Sequence, residues 1–328
     1  MSVRVSPTAV VLVLLGVHAA HAEDRTPGEI AAAAAALVAS AHVAYVSDYL
    51  SFAGRDERGV VLFALDTNRG RAGDAYQAEH FVALYDATAG WVDVPGYAEF
   101  PNAEGRLLEW PASPYFEARG RPFDGLEVTS TRAALALAVE PLVPRVTVED
   151  ERTLFSMASA AATLELDGRE VRGRVIYEYL VMAGANRLGG VSLAGLWRWL
   201  TGPSGFQGLY LATADGDDLY LHETGGGAAS GPAPTLAFLA GGAGTEVLRD
   251  VHLEVVDHAL APGLFRWPRA WRAEWRGARG PAALAVAATS HATQKSWLIG
   301  GFAMQAVEGT LRYGGREVEV FGFGELIR

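Results

Sequence analysis

The chain has no cysteine at all. Disulfides, thiolate nucleophiles, cysteine-built metal sites and a cysteine-borne lipid anchor are therefore excluded together. Positive charge is scarce as well: 27 Lys and Arg stand against 38 Asp and Glu, a formal net charge of −11. Nucleic acid and anionic lipid surfaces both demand a basic footprint, so neither is an expected partner. Missing too is any uncharged, glycine-free stretch of the ~20 residues that a helix needs to cross ~30 Å of hydrocarbon. The motifs of the large cofactor and hydrolase classes are absent: no G-x-S-x-G elbow, no P-loop, no H-E-x-x-H and no dinucleotide fingerprint. Gly225-Gly226-Gly227 reads as loop, because no glycine-to-helix transition follows it.

What the chain does have begins at its first residues. Arg4 is the single charge before Glu23, the apolar stretch Ala9–Val17 follows it, and Ala20-His21-Ala22 precedes Glu23-Asp24. A basic start, a short apolar centre and small residues at the cut are the parts of a secretory signal peptide. Residues 1–22 are thus expected to be removed, giving an exported protein, periplasmic or secreted, that is not an integral membrane protein. Its net charge would be −12, since only Arg4 is lost.

Residues 23–41 read as a leader and helix. Thr26-Pro27-Gly28-Glu29 has capping-box spacing with Pro at the first helical position. From His42 onward the texture is short runs of Val, Leu, Tyr and Thr broken by Gly and Asp. Strands are expected at 42–53, 59–68, 76–86, 124–130, 132–140, 145–149, 153–166, 170–183, 205–213, 217–223, 245–256, 271–276, 282–289, 304–313 and 316–326. Asp167-Gly168 and Asp215-Gly216 are strong hairpin turns, and Gly314-Gly315 joins the last two strands. A short helix is expected at 192–200 and a flexible loop at 225–234. Many short strands and few helices indicate an all-β sandwich or barrel. The mature length fits two barrels, one over 42–155 and one over 156–328.

Among residues able to carry chemistry, Glu178 stands out inside the apolar strand 175–182. An acid among apolar neighbours is costly unless paired, and desolvation raises its pKa towards that of a usable proton donor. Its competing reading is a carboxylate satisfied by Arg174 or Arg187. Strand alternation sets Tyr177 and Tyr179 opposite to Glu178, so these three cannot share one cavity. Tyr45 and Tyr49 likewise share a face opposite to Asp48. Asp250, His252 and Glu254 alternate along one strand with His258 nearby, a row that fits a solvated face better than a metal site. No metal and no cofactor are expected, and His80 and His222 read as satisfied or surface histidines.

Order and spacing over residues 42–328 carry a further signal. Leu164–Arg169 leads into Val171-Arg172-Gly173-Arg174-Val175-Ile176-Tyr177-Glu178-Tyr179, and Phe206–Leu221 contains Gln207, Tyr210 and an Asp-Gly hairpin. The end carries Glu308-Gly309 and Gly322-Phe323-Gly324-Glu325-Leu326. This arrangement resembles the lipocalin-like family of the AttH proteins and carotenoid 1,2-hydratases (hydroxyneurosporene synthases). The resemblance implies two tandem calycin-type antiparallel β-barrels and a pocket for a polyene, terpenoid or other greasy molecule. Some members of that family are hydratases, cyclases or pericyclases needing no cofactor. Glu178 stands where the family usually has Asp. Tyr179, Val181, Gly208, Leu209 and Leu211 replace residues of the hydratase-like members, so the carotenoid-hydratase acid–base set is largely missing.

Three functions follow as expectations. The first is binding of a hydrophobic small molecule, with Tyr45, Asp48, Tyr49, Tyr177, Tyr179, Gln207 and Tyr210 lining the cavity. A second is proton-assisted hydration, cyclisation or isomerisation of an isoprenoid with Glu178 as the general acid. Filled barrels serving as a structural or partner-binding module make the third.

Overall fold

A computed structural model describes residues 25–92, 97–101, 106–111, 113–184, 206–224, 235–242, 244–249, 251–260, 266–297 and 300–327. The expected signal peptide, the helix at 192–200 and the loop at 225–234 lie outside the described residues.

One helix, α1 (Pro27–Ser40), opens the described chain. Its capping box is formed as the sequence predicts: the Glu29 amide donates to Thr26 Oγ1 (3.3 Å) and the Thr26 amide to Glu29 Oε2 (2.8 Å). The Thr26 hydrogen bonds hold the Glu29 carboxyl below the usual carboxylate range. Ile30, Ala34 and Leu37, spaced four and three residues apart, make one apolar face that enters the core of the first sheet. At the other end Arg71 donates to the carbonyl oxygens of Val38 (2.6 Å) and Ala41, two of the groups a helix end leaves unpaired.

The first sheet contains β1 (Val43–Asp56), β2 (Gly59–Ala72), β3 (Ala75–Asp86), β4 (Gly90–Val92) and β5 (Tyr97–Pro101). It continues with β6 (Phe116–Arg121), β7 (Gly125–Ser130), β8 (Leu135–Val139), β9 (Val143–Glu149), β10 (Thr153–Leu166) and β11 (Arg169–Ala183). Its order is β4-β3-β2-β1-β11-β10-β8-β7-β6, with β5 on β3 and β9 on β10. The second sheet contains β12 (Phe206–Thr213), β13 (Asp218–Thr224), β14 (Thr235–Gly241), β15 (Gly244–Leu248) and β16 (His252–Leu260). It is completed by β17 (Arg266–Gly277), β18 (Gly280–Trp297), β19 (Gly300–Tyr313) and β20 (Arg316–Ile327), in the order β15-β14-β13-β12-β20-β19-β18-β17-β16. Both are curled antiparallel sheets, the tandem lipocalin-like arrangement that the sequence predicts. The chain divides into two compact units that follow the two sheets, save that Ala87–Trp91, which carries most of β4, groups with the second.

The Asp-Gly signal at 167–168 is a turn with φ of +52° and +75°, the left-handed pair of a type I′ hairpin. Two expectations are corrected. The boundary at 155/156 falls inside β10, which pairs with β8, β9 and β11, while β11 pairs with β1 from Ala44↔Ala183 to Gly54↔Gly173. The first unit therefore runs on through β11. The single strand expected at 245–256 is two: β15 pairs with β14 and β16 with β17, at opposite ends of the second sheet's order. Strands β4, β5, β6 and β14 carry no expectation from the sequence at all.

Candidate functional site on the first sheet

Strands β1, β2 and β11 sit at the middle of the first sheet; both faces of β1 and β2 are largely buried, whereas the back face of β11 is buried at Ile176 and Met182 and half-buried at Glu178 and Leu180. The inner face, which holds the apolar core, presents Ala44, Val46, Leu50 and Phe52 from β1. Val61, Phe63 and Leu65 come from β2, and Val175, Tyr177, Tyr179 and Val181 from β11. Set into this apolar surface is a polar cluster. Asp48 accepts hydrogen bonds from Arg69 and from the Tyr177 hydroxyl, and Arg69 Nε donates to the Leu107 carbonyl at 2.7 Å. Arg69 is 0 % exposed and Asp48 2 %. Tyr177 stacks on Tyr179 at 6.3 Å and meets Phe123 edge-on at 6.1 Å. Burial and the neighbouring Asp48 carboxylate raise the pKa of both tyrosines well above that of a free phenol. Neither hydroxyl is a base at neutral pH; the cluster holds its protons rather than releasing them.

Near it, His80 Nδ1 lies 2.9 Å from Ser113 Oγ, and its ring meets Tyr115 and Phe116 edge-on. Desolvation lowers its pKa to about 4, so it is neutral at pH 7. A cavity of about 10 Å³, room for a single water, is lined by Leu65, Thr67, His80, Trp110, Ser113 and Phe116.

The back face of the same strands is different. Along β1 it carries Tyr45, Ser47, Tyr49 and Ser51, along β2 Asp66 and Asn68, along β3 Glu79 and Phe81, and along β11 Ile176, Glu178 and Met182. Pairing register lays Met157, Glu178, Tyr49, Asp66 and Phe81 in one cross-strand row, and Ser47, Asn68 and Glu79 in the next. Asp66 and Glu178 therefore flank Tyr49, with their Cα atoms about 10 Å apart at the usual strand spacing. Tyr45 donates to Asn68 Oδ1 (2.5 Å), Asn68 Nδ2 to Asp66 Oδ2 (2.9 Å), and Ser47 to Asp66 Oδ1 (3.2 Å). A longer bond runs from Asn68 Nδ2 to Glu79 Oε1 (3.4 Å).

Burial, joined by the Asp48 charge through the sheet, raises the Asp66 pKa to about 6. The Asn68 and Ser47 hydrogen bonds and the Arg69 charge act the other way without cancelling desolvation. A carboxyl group with that pKa is available both as acid and as conjugate base near neutral pH.

Of the residues singled out from the sequence, the structure puts Tyr45, Tyr49 and Glu178 together on the back face. It puts Asp48, Tyr177 and Tyr179 together on the inner face. Gln207 and Tyr210 belong to the second unit and lie on opposite faces of β12. Gln207 Nε2 donates to Glu223 Oε2 (2.6 Å) and to the Leu253 carbonyl (2.9 Å), whereas Tyr210 packs edge-on against Tyr220 at 5.1 Å. His222, on the Tyr210 face, sits 2.5 Å from the Tyr220 hydroxyl, and burial lowers its pKa to about 3. Among the described residues no three His, Asp or Glu side chains converge as a metal site. Asp250 lies outside the described residues, and His252 is instead paired with Glu223 at 3.0 Å.

Sequence reasoning missed Asp66, Asn68, Arg69 and Glu79. A signal was present: Asp66-Thr67-Asn68-Arg69 puts four consecutive polar residues inside an otherwise apolar strand. Exposure on an edge would explain such a run, but these residues are at most 8 % exposed.

No protein-family model and no curated protein sequence matches the chain. Solved structures do match in fold. A protein of Nitrosomonas europaea described as AttH aligns with a TM-score of 0.58 and 11% identity, over 87% of this chain and 93% of that one. Kievitone hydratase from Nectria haematococca aligns with a TM-score of 0.55 and 8% identity, over 86% and 88%. CghA aligns with a TM-score of 0.50 and 13% identity, over 86% and 87%. The resemblance read from the order of the sequence motifs is thus borne out as a shared fold over most of the chain.

Proposed function

We propose that this chain is an exported protein that binds a hydrophobic small molecule against the back face of its first sheet and transfers a proton to it. Asp66 is the acid, and Tyr45, Tyr49 and Glu178 line the site. One observation carries the reading: a nearly buried carboxyl group with a pKa of about 6 stands beside Tyr49, hydrogen-bonded to the neutral donors Asn68 and Ser47. The chemistry balances without a cofactor. Protonated Asp66 gives its proton to an alkene carbon, and water adds to the resulting cation. The water's surplus proton then returns to the Asp66 carboxylate. Tyr45 and Tyr49 can offer ring faces to the cation. Kievitone hydratase, whose name states a hydration, has the same fold, which supports this class of reaction.

Asp66 takes the role that the sequence alone suggests for Glu178, which becomes a wall of the site one strand away. Export rests on the first 22 residues, and intact mass of the protein from its own host is expected to show a chain starting at Glu23. The filled-barrel reading keeps one observation in its favour, the single-water cavity beside His80. It concerns the inner face and leaves the back face open.

Native mass spectrometry of protein from its own host, followed by organic extraction, tests the binding. A co-purifying polyene, terpenoid or lipid is expected. Incubating that compound in deuterated water with wild type and Asp66→Asn then tests the acid: wild type introduces deuterium at carbon and the variant loses this by at least a hundredfold. A clean apo mass sinks the binding, and equal deuteration by the variant sinks Asp66.

A further inference from the structure

The second unit has an inner face that the proposed function leaves unused. Its core is built from Leu209, Leu221, Trp271, Trp275, Val307 and their neighbours. Three polar side-chain atoms lie within this apolar wall with no hydrogen-bond partner among the described residues: Gln305 Oε1, an acceptor, and the donors Trp271 Nε1 and Trp275 Nε1. Gln305 and Trp271 are each 1 % exposed. The Gln305 amide is not free to turn, because its Nε2 donates to the Pro268 carbonyl at 2.7 Å, which aims Oε1 elsewhere. Leaving a buried acceptor unpaired costs free energy, and native folds seldom do so without a ligand or water to answer it.

Register brings Gln305 and Trp271 into one neighbourhood. Gln305 pairs with Gly324 across β19 and β20, and Gly324 pairs with Leu209 across β20 and β12. The Trp271 ring lies over that glycine: a Cβ at position 324 would come within 3.0 Å of Trp271 Cη2 and 3.1 Å of Val307 Cγ1. The missing side chain of Gly324 thus makes the room beside Gln305 that the indole occupies. Trp267, Ala303 and Leu326 form an apolar patch in the same unit, with Ala303 and Leu326 facing each other in register next to the Gln305–Gly324 pair. In the row of Ala303 and Leu326, Gln207 pairs with Leu326 and binds Glu223. Both oxygens of Glu223 are engaged, one by Gln207 and one by His252, whose side chain is 70 % exposed.

We propose that the inner face of the second unit is a ligand site of its own, taking a neutral, largely apolar molecule through a single hydroxyl group. That hydroxyl donates to Gln305 Oε1 and accepts from Trp271 Nε1, which satisfies these two of the orphaned atoms at once. Walls of indole and aliphatic side chain suit a flat apolar body. An anion is disfavoured by Glu223, and a cation gains nothing from a carboxylate whose two oxygens already accept hydrogen bonds.

Calorimetric titration of the full chain with 2-naphthol as probe, against 2-methylnaphthalene as its hydroxyl-free counterpart, tests the site. Wild type is expected to bind one 2-naphthol, and to bind it at least tenfold more tightly than 2-methylnaphthalene. Gln305→Leu and Trp271→Phe should each weaken 2-naphthol about tenfold, the cost of one buried hydrogen bond. The hydrocarbon's affinity should stay unchanged in both variants. Trp271→Phe keeps an aromatic ring in place, so it reads out the site even where Gln305→Leu fails to fold. No binding by wild type, or no discrimination between the two probes, overturns the proposal. So does undiminished 2-naphthol binding by Trp271→Phe. Asp66→Asn should bind 2-naphthol as wild type does; loss of binding there puts the probe on the first sheet and overturns the second site, while leaving the proposed proton transfer standing.

Discussion

On the inner face of the first sheet, the Asp48 carboxylate meets a guanidinium and a phenol. On the back face, one strand away, the Asp66 carboxylate meets the amide of Asn68 and the hydroxyl of Ser47, neither of which is charged. Both acids are buried, both lie near the middle of long strands, and both are hydrogen-bonded. What separates them is the charge of the partner. A cation at contact distance compensates a carboxylate for leaving water, whereas neutral donors do so only in part. The first face therefore reads as architecture that locks β1, β2 and β11 together. The second retains a group whose ionisation is undecided at neutral pH. Two buried carboxylates in one sheet can thus serve opposite ends, and sequence position alone does not say which is which.

Breaking the inner cluster should have the largest effect. Arg69→Met leaves Asp48 buried without its cation and the Leu107 carbonyl without its donor, so urea unfolding should show a loss of about 3–5 kcal/mol. The back face should respond with the opposite sign. The Asp66 pKa is raised from 3.8 to about 6, so the folded state binds the proton more tightly than the unfolded chain. Its contribution is favourable below pH 4 and is lost as pH rises through 6. Asp66→Asn should accordingly stabilise the protein at pH 7 by about 3 kcal/mol, at 1.36 kcal/mol per pKa unit, and by almost nothing at pH 3.5. A uniform gain at both pH values would show that the ionisation is not the cause. Smaller still, Tyr177→Phe removes one hydrogen bond to a charged acceptor and should cost about 2 kcal/mol in the same unfolding assay. Tyr45→Phe deletes only the neutral bond to Asn68 and should cost about 1 kcal/mol. If the two tyrosine variants cost the same, the distinction between the faces weakens.

Much of the fold is legible in the sequence because it is local. Asp167-Gly168 dictates its turn, Thr26 and Glu29 dictate their cap, and alternation within β1 and β11 sorts residues onto faces. The unit boundary is not local. It depends on β11 pairing with β1, some 130 residues earlier in the chain, and nothing in either strand names its partner. The site shows the same division. Alternation alone places Glu178 opposite to Tyr177 and Tyr49 opposite to Asp48. Which face is apolar core depends on cross-strand neighbours, and so does the identity of the residue beside Tyr49. Asp66 was hidden for that reason: a polar run in a strand looks solvent-facing until the sheet buries both of its sides.

Carbon-detected NMR titration of the Asp66 side-chain carboxyl addresses the central claim most directly. The account predicts a midpoint near pH 6, well above the ordinary aspartate value. A midpoint at or below pH 4 would show the carboxylate to be ionised throughout the neutral range, and would remove the proton donor from which the proposed chemistry starts.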